Sequence, residues 1–280
     1  MMLIRVNLFL LVSVLSFSGF ALHATLPKKV SKQELMRVDR VVVGAPVLTF
    51  LSGGDRFLAA NFEVMRLSST AIDSGDVDVN YLVRAQQVVS NLNPCHEHNY
   101  YLANALLAWG GALGEADSVL RAAMSCRFWD EWPAFFYGFN RFFFHRDISA
   151  AVSALDKAAD RATGNAAGFR KLAVMIQVEQ FADEKLALEF LIRERDQARD
   201  SRLKDMLAKR ALRLSGLVQL REAQRAYEKL KGIPLREPQQ LIESGLLKAF
   251  PEDPLRLGYE FVEGRFMLRK LQVAGAEERP

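Results

Sequence analysis

From Leu35 onward, apolar residues recur at three- and four-residue intervals in long segments separated by short polar breaks, and alternating β-branched runs are nearly absent apart from Val41-Val42-Val43. This period predicts a mostly helical chain. Ser31 followed by Glu34 forms a capping-box start for a helix through about Arg40, with Gly44 and Pro46 ending it. A second helix is expected from about Gly54 to Leu67, burying Phe57, Leu58, Phe62 and Met65. Asp78 caps a third, Val79 to Leu92, which stops before Asn93-Pro94.

The middle of the chain repeats. Ala116, Leu120 and Ala123 recur 35 residues later as Ala151, Leu155 and Ala158, and Tyr100 and Leu107 recur at the same offset as Phe135 and Phe142. A small Ala on the second helix of a hairpin lets the two helices approach, while aromatic or Leu positions fill the space between hairpins. A third hairpin, Phe169 to Val178 with Asp183 to Arg195, keeps the rhythm through Ala187 and Leu191 but carries Glu194 where the others carry Ala. Leu203, Met206, Leu207, Leu214, Leu217 and Val218 form a further stripe, with a soft break expected at Ser215-Gly216. Gly232 and Pro234 end that helix, Pro238 opens the next, and Gly245 supplies a left-handed stop. Phe250 to Pro254 and Gly258-Tyr259 then predict an extended tail, irregular or closed as a short β-hairpin.

With Tyr100-Ala103-Asn104-Leu107 and Ala116-Leu120-Ala123, then Phe135-Gly138-Phe139-Phe142 and Ala151-Leu155-Ala158, the chain resembles the tetratricopeptide repeat family. The offset lies beside that family's 34-residue period. Both units depart from the consensus: Asn104 and Phe139 stand at a family Gly, and the closing Pro is missing from both. The resemblance implies an all-α fold of helical hairpins stacked as a short right-handed superhelix. The layout also resembles exported bacterial proteins of this kind that end in a Gly-x-x-x-x-x-Pro-x-Asp-Pro segment, here Gly245 to Pro254. Such proteins mostly bind other proteins, so the resemblance implies a partner protein in a bacterial cell envelope.

The first residues carry a compartment signal. Arg5 precedes an apolar run from Val6 to Leu22, with small residues at Gly19, Ala21 and Ala24 that permit cleavage. Residues 1–24 are therefore expected to be a signal peptide, or an inner-membrane anchor, because residues 3–22 are long enough to cross a bilayer. Residues 25–260 would form the helical repeat domain, periplasmic in either case, and 261–280 a tail. Across 280 residues, 37 Lys and Arg stand against 33 Asp and Glu with no block of like charge. That is a poor electrostatic footprint for nucleic acid.

Candidate chemistry is sparse. Cys95 and Cys126 lie just before the first and just after the second helix of one hairpin, the same end of an antiparallel pair, and a disulfide is expected between them. Cys95-His96-Glu97-His98 contains metal-ligating types, but the two His are two residues apart and no His-x-x-x-His exists, so no metal site is expected. Hydrolase, nucleotide-binding and zinc-protease motifs are missing, no cofactor is implied, and Ser52-Gly-Gly54 and Trp109-Gly-Gly111 fit turns. The densest aromatic stretch runs from Trp129 to Phe144. On a helical wheel Phe135, Phe136, Phe139, Phe142 and Phe143 form a core stripe. Tyr137, Asn140, Arg141 and Phe144 lie opposite, with Tyr101 and Trp109 at comparable positions one repeat earlier. These six residues are the candidate lining of a concave partner-binding face, with packing beneath the N-terminal helices as the competing role. The expected function is a non-catalytic scaffold or accessory subunit. An enzyme acting on glycan or peptide in the same groove is the alternative, and close, buried carboxylates would distinguish it.

Overall fold

The computed structural model describes residues 42–70 and 79–269, together with Leu15, Ser16 and Ser18. The chain divides into two units, Met1–Val42 and Val43–Pro280. Of the first, Leu15, Ser16 and Ser18 are helical, and the expected elements at 3–22 and 31–40 lie outside the described residues, as does the cap at Asp78. Among the described residues no helix is long and apolar enough to cross a membrane.

The second unit is mostly helical and ends in a two-stranded antiparallel hairpin. Its first helix, α1, spans Ala45–Leu51. Gly44 and Pro46 therefore begin a helix where the sequence was expected to end one, because Pro46 occupies a first-turn position whose N–H has no intrahelical partner to lose. α2, Arg56–Thr70, is capped by Asp55, whose carboxylate accepts from the amides of Phe57 (2.8 Å) and Leu58 (3.1 Å). α2 turns a different face inward from the one expected. Ala59, Ala60, Val64 and Leu67 are buried, whereas Phe57, Leu58, Phe62 and Met65 are exposed, Met65 to 67%. Both faces are apolar, and the small one allows close packing on α3, Val79–Leu92, which starts and stops where its period predicts.

α4 (Glu97–Leu102) runs on into a π-helical segment, Ala103–Ala108. α5 (Leu113–Cys126) returns antiparallel to it, and α6 (Trp132–Phe143) with α7 (Ile148–Arg161) forms the next hairpin. The repeated Ala and Leu of α5 and α7 are all fully buried. α8 (Ala166–Val178) and α9 (Glu184–Gln197) follow, the latter capped by Asp183. These two do not pair as the expected third hairpin: α8 packs along α7, α9 packs along α10, and α8 and α9 touch only sparingly. The pairing partner of α9 is supplied by the long helix α10, Ser201–Lys231, which buries Leu203, Leu207, Leu214, Leu217 and Leu220 in one cluster with Phe190 and Leu191 of α9.

α10 passes unbroken through Ser215-Gly216 and stops at Gly232 in the left-handed conformation (φ 69°). Gly216 serves packing: a Cβ there would stand 2.8 Å from Tyr259 Cζ and 3.2 Å from Pro251 Cβ. Gly216→Ala is accordingly expected to destabilise the protein by roughly 1–3 kcal/mol, although Ala is about 1 kcal/mol the better helix former. Urea denaturation of the two proteins side by side measures this, and a more stable variant would show that Tyr259 yields without cost.

After a single turn, α11 (Gln240–Glu243), the chain forms β1 (Tyr259–Val262) and β2 (Arg265–Leu268), with Tyr259 opposite Leu268 and Phe261 opposite Phe266. Positive φ at both Glu263 (51°) and Gly264 (77°) makes the tight turn that matches strand twist. The hairpin straddles residue 260, and its Phe266 is buried in the same cluster as α9 and α10. Asp253 fastens the approach to it. This buried carboxylate accepts from Arg213 Nε of α10 (3.0 Å) and from the amides of Leu255 (2.9 Å), Leu257 (3.0 Å) and Gly258 (2.7 Å).

Candidate functional site

α6 owes its aromatic surface to its small residues. Ala134 and Gly138 are buried, and at Gly138 a Cβ would come within 3.0 Å of the Ala151 carbonyl and 3.2 Å of Ala154 Cβ. α7 approaches over these two positions, so the rings of α6 are displaced to either side. Phe135 meets Phe169 of α8 (5.2 Å between centroids), Phe136 meets Tyr101 of α4 (5.4 Å), and Phe139 stacks on Phe143 (5.5 Å). Trp109, just beyond the π segment, closes the row against Phe143 (5.7 Å) and Phe144 (5.2 Å).

This arrangement follows the division drawn from the helical wheel at Phe135 and Phe142, which pack against the buried core, and departs from it at two positions. Phe143, expected in the core stripe, is 42% exposed, while Asn140, expected on the open face, is 1% exposed. Tyr137, Arg141 and Phe144 are half-buried. The reason is that α6 is flanked by both α5 and α7, so the small and polar side carries the packing. Of the six candidate residues, Trp109 and Phe144 are in ring contact, Tyr137 lies under the Arg141 guanidinium (5.9 Å), and Tyr101 joins the row through Phe136. Trp109, at 62%, is the most exposed of them.

Beneath the row lies a polar centre. Asp117, buried on α5, accepts from Arg141 (3.3 Å) and sits 3.2 Å from His145 Nε2, and Arg141 is also paired with Asp147, the N-cap of α7. The hydrogen bond with Asp147 raises the Arg141 pKa, and the same bond holds Asp147 below the usual carboxylate range. The side-chain amide of Asn140 and the Oδ1 of Asn104 in the π segment are buried without a hydrogen-bond partner. π segments recur at functional positions in helical proteins. Asp117 and His145 escaped the sequence reading because neither belongs to a motif; a carboxylate at a core-facing position of α5 was the available signal.

At the opposite end of the α4–α5 hairpin the expected disulfide is present, with Cys95 and Cys126 Cα atoms 5.3 Å apart. A polar knot surrounds it. Arg127 donates to the Cys95 carbonyl (3.2 Å) and to Asp130 (2.7 Å), which also accepts from Tyr100 Oη (2.8 Å) and from the Trp132 amide (3.0 Å). His96 reaches Asn61 of α2 (3.0 Å) and is held below the ordinary histidine pKa by burial and by the charges of His98 and Arg127. Among the described residues no three His, Cys, Asp or Glu come together as a metal site.

Where α8 and α9 splay apart, a cleft of about 280 Å³ opens, floored by Ala173, Val174, Leu203 and Leu207 and rimmed by Asp156, Arg170 and Glu194. Burial and the neighbouring Asp160 raise the Asp156 pKa, against the opposing charge of Arg170. No motif pointed to it, since it arises from a pairing of helices that adjacency in sequence does not foretell. No protein-family model matches the chain, and neither the curated proteins nor the solved structures contain a match to it.

Proposed function

We propose that this protein is a non-catalytic scaffold or accessory subunit of a bacterial envelope assembly, exported by residues 1–24 as signal or anchor and built on tetratricopeptide-like hairpins. It binds a partner protein through the aromatic row of α4 and α6. The observation that carries this reading is the run of partly exposed rings, Tyr101, Phe143 and Trp109, over a packed polar base. Aromatic side chains concentrated on one surface are the usual anchors of protein interfaces. The disulfide supports an oxidising compartment.

The paired change Trp109→Ala with Phe143→Ala is expected to abolish capture of the partner from envelope extracts while leaving stability within roughly 1 kcal/mol, since both rings are exposed. Undiminished capture would remove the row from the interface. Export is checked independently by fusing, after Pro280, a reporter that folds only outside the cytoplasm. An inactive fusion that is nevertheless produced in full would place the protein inside.

A second reading, an enzyme acting on glycan or peptide, is favoured by one observation: Asp156, with its raised pKa, faces the α8–α9 cleft together with Glu194. Turnover of envelope glycan that disappears in Asp156→Asn would establish it, and equal turnover by the two proteins would end it.

A further inference from the structure

We infer that the cleft between α8 and α9 binds a small aliphatic diamine, an organic dication whose hydrocarbon stem lies on the cleft's apolar floor. The inference needs neither the export nor the catalysis proposed above. Two carboxylates line the cleft from different helices, Asp156 from α7 and Glu194 from the last turn of α9. Among the described residues neither side chain takes a hydrogen bond or an ion pair. A carboxylate that loses hydration to burial without gaining a cation is held at a cost. Asp156 shows that cost: partial burial and the neighbouring Asp160 raise its pKa, and the charge of Arg170 does not offset them.

The basic groups of this region are already engaged. Arg170, the one cation in the lining among the described residues, donates to Asp160 (3.0 Å). Arg195, in the last turn of α9, donates to Asp196 (2.8 Å), which also faces the charge of Lys204. The lining is left with two uncompensated negative charges, those of Asp156 and Glu194. The backbone adds to them, because α9 ends at Gln197 in the lining and the last carbonyls of a helix carry partial negative charge. The opposite pole, at the N-terminus of α10, is answered within the protein: Asp200 accepts from the amides of Arg202 (2.8 Å) and Leu203 (3.1 Å).

Size and floor choose among cations. At about 280 Å³ the cleft falls just under the roughly 300–1,000 Å³ of pockets that enclose drug-sized ligands, so its occupant is small. Val174, Leu203 and Leu207 give it an apolar floor that a hydrated metal ion cannot use, and among the described residues no three His, Cys, Asp or Glu converge to coordinate one. A single ammonium answers one carboxylate and leaves the other bare. A diamine answers both, and its methylenes displace water from the floor between them. Gln177 donates its amide N–H to the Ala173 carbonyl (3.4 Å), which leaves its oxygen as an acceptor for a further ammonium N–H.

The test titrates 1,4-diaminobutane into the full chain by calorimetry at low ionic strength, where charge pairing is least screened. Saturable binding at one site per chain is expected. Asp156→Asn and Glu194→Gln should each weaken it roughly tenfold, and so should exchanging the probe for butylamine, which keeps the stem and removes one charge. 1,4-Butanediol, uncharged on the same stem, should not bind, and Mg2+ at equal concentration should not displace the diamine. Neither carboxylate has a partner within the protein, so both variants should melt with the wild type, and a loss of binding then reads the cleft and not the fold. Absent binding, undiminished binding in either variant, or displacement by Mg2+ would each overturn the inference. Tighter binding of Nα-acetyl-lysine amide than of the diamine would overturn it too, by making a partner's lysine side chain the occupant. Capture of a partner by the aromatic row is read separately, so failure here leaves that reading standing.

Discussion

Replacing Asp253 with Ala is expected to lower the stability of the protein by about 3–5 kcal/mol, because it strands a buried charge. Arg213 is itself buried, and besides Asp253 it reaches, among the described residues, only carbonyl oxygens, those of Gly258 (3.3 Å) and Arg269 (2.6 Å). Three backbone amides, those of Leu255, Leu257 and Gly258, lose their acceptor at the same time. Asp253→Asn keeps one acceptor oxygen and should fall between the two proteins. Acid shows the same effect in the wild type. Burial would push the Asp253 carboxyl up, but the amides of Leu255 and Gly258 and the charge of Arg213 outweigh it and hold the group below its ordinary value. A depressed folded pKa means that the stabilisation is complete above the unfolded value of about 3.9 and is lost as pH falls through the folded one. Urea midpoints measured across that range should therefore drop more steeply for wild type than for Asp253→Asn. A loss under about 1 kcal/mol in Asp253→Ala would mean that water enters and solvates Arg213.

Reducing the disulfide is the second large effect. The bridge spans 31 residues, and closing a loop of this size removes about 3–4 kcal/mol of unfolded-chain entropy in the chain-entropy model. For a domain of this length that corresponds to a melting midpoint lowered by roughly 10 °C. The paired Cys95→Ser and Cys126→Ser protein should melt like the reduced wild type, and reductant should leave it unchanged. The knot of Arg127, Asp130 and Tyr100 holds the same two chain ends non-covalently, so the variant is expected to fold. Coincident melting of oxidised and reduced wild type would show that the knot alone sets the geometry.

Elements governed by neighbours in sequence were legible: α3 with its bounds, the onset of α9 at Asp183, the end of α10 at Gly232, the left-handed Gly245, and the cysteine pair at one end of a hairpin. What escaped depends on choices between equivalent local options. α2 and α6 each present two apolar faces, and a wheel ranks faces by bulk, whereas close packing selected the small residues Ala59, Ala60, Ala134 and Gly138. Gly216 looks like a break by propensity and is retained by the Tyr259 ring arriving from 43 residues downstream (259 less 216). In the candidate site, Tyr101 and Trp109 were identifiable as exposed aromatics, while Phe143, Asp117 and His145 join them only through the angle at which α5, α6 and α7 meet.

The divergence of α8 and α9 has a consequence for how the molecule opens. α8 leans on α7 and α9 on α10, so the boundary between cooperative units runs through the connection at residues 179–183 and through Ala167, Val174, Met175 and Val178, by which α8 joins the C-terminal cluster. Separating the two blocks leaves the packing of α8 on α7 and of α9 on α10 in place, so it needs less free energy than global unfolding. Amide protons along this seam therefore exchange with solvent through partial opening, while those of α5 and α7 wait for the whole N-terminal block to unfold. The cleft lies on that seam, so partial opening there alters its width.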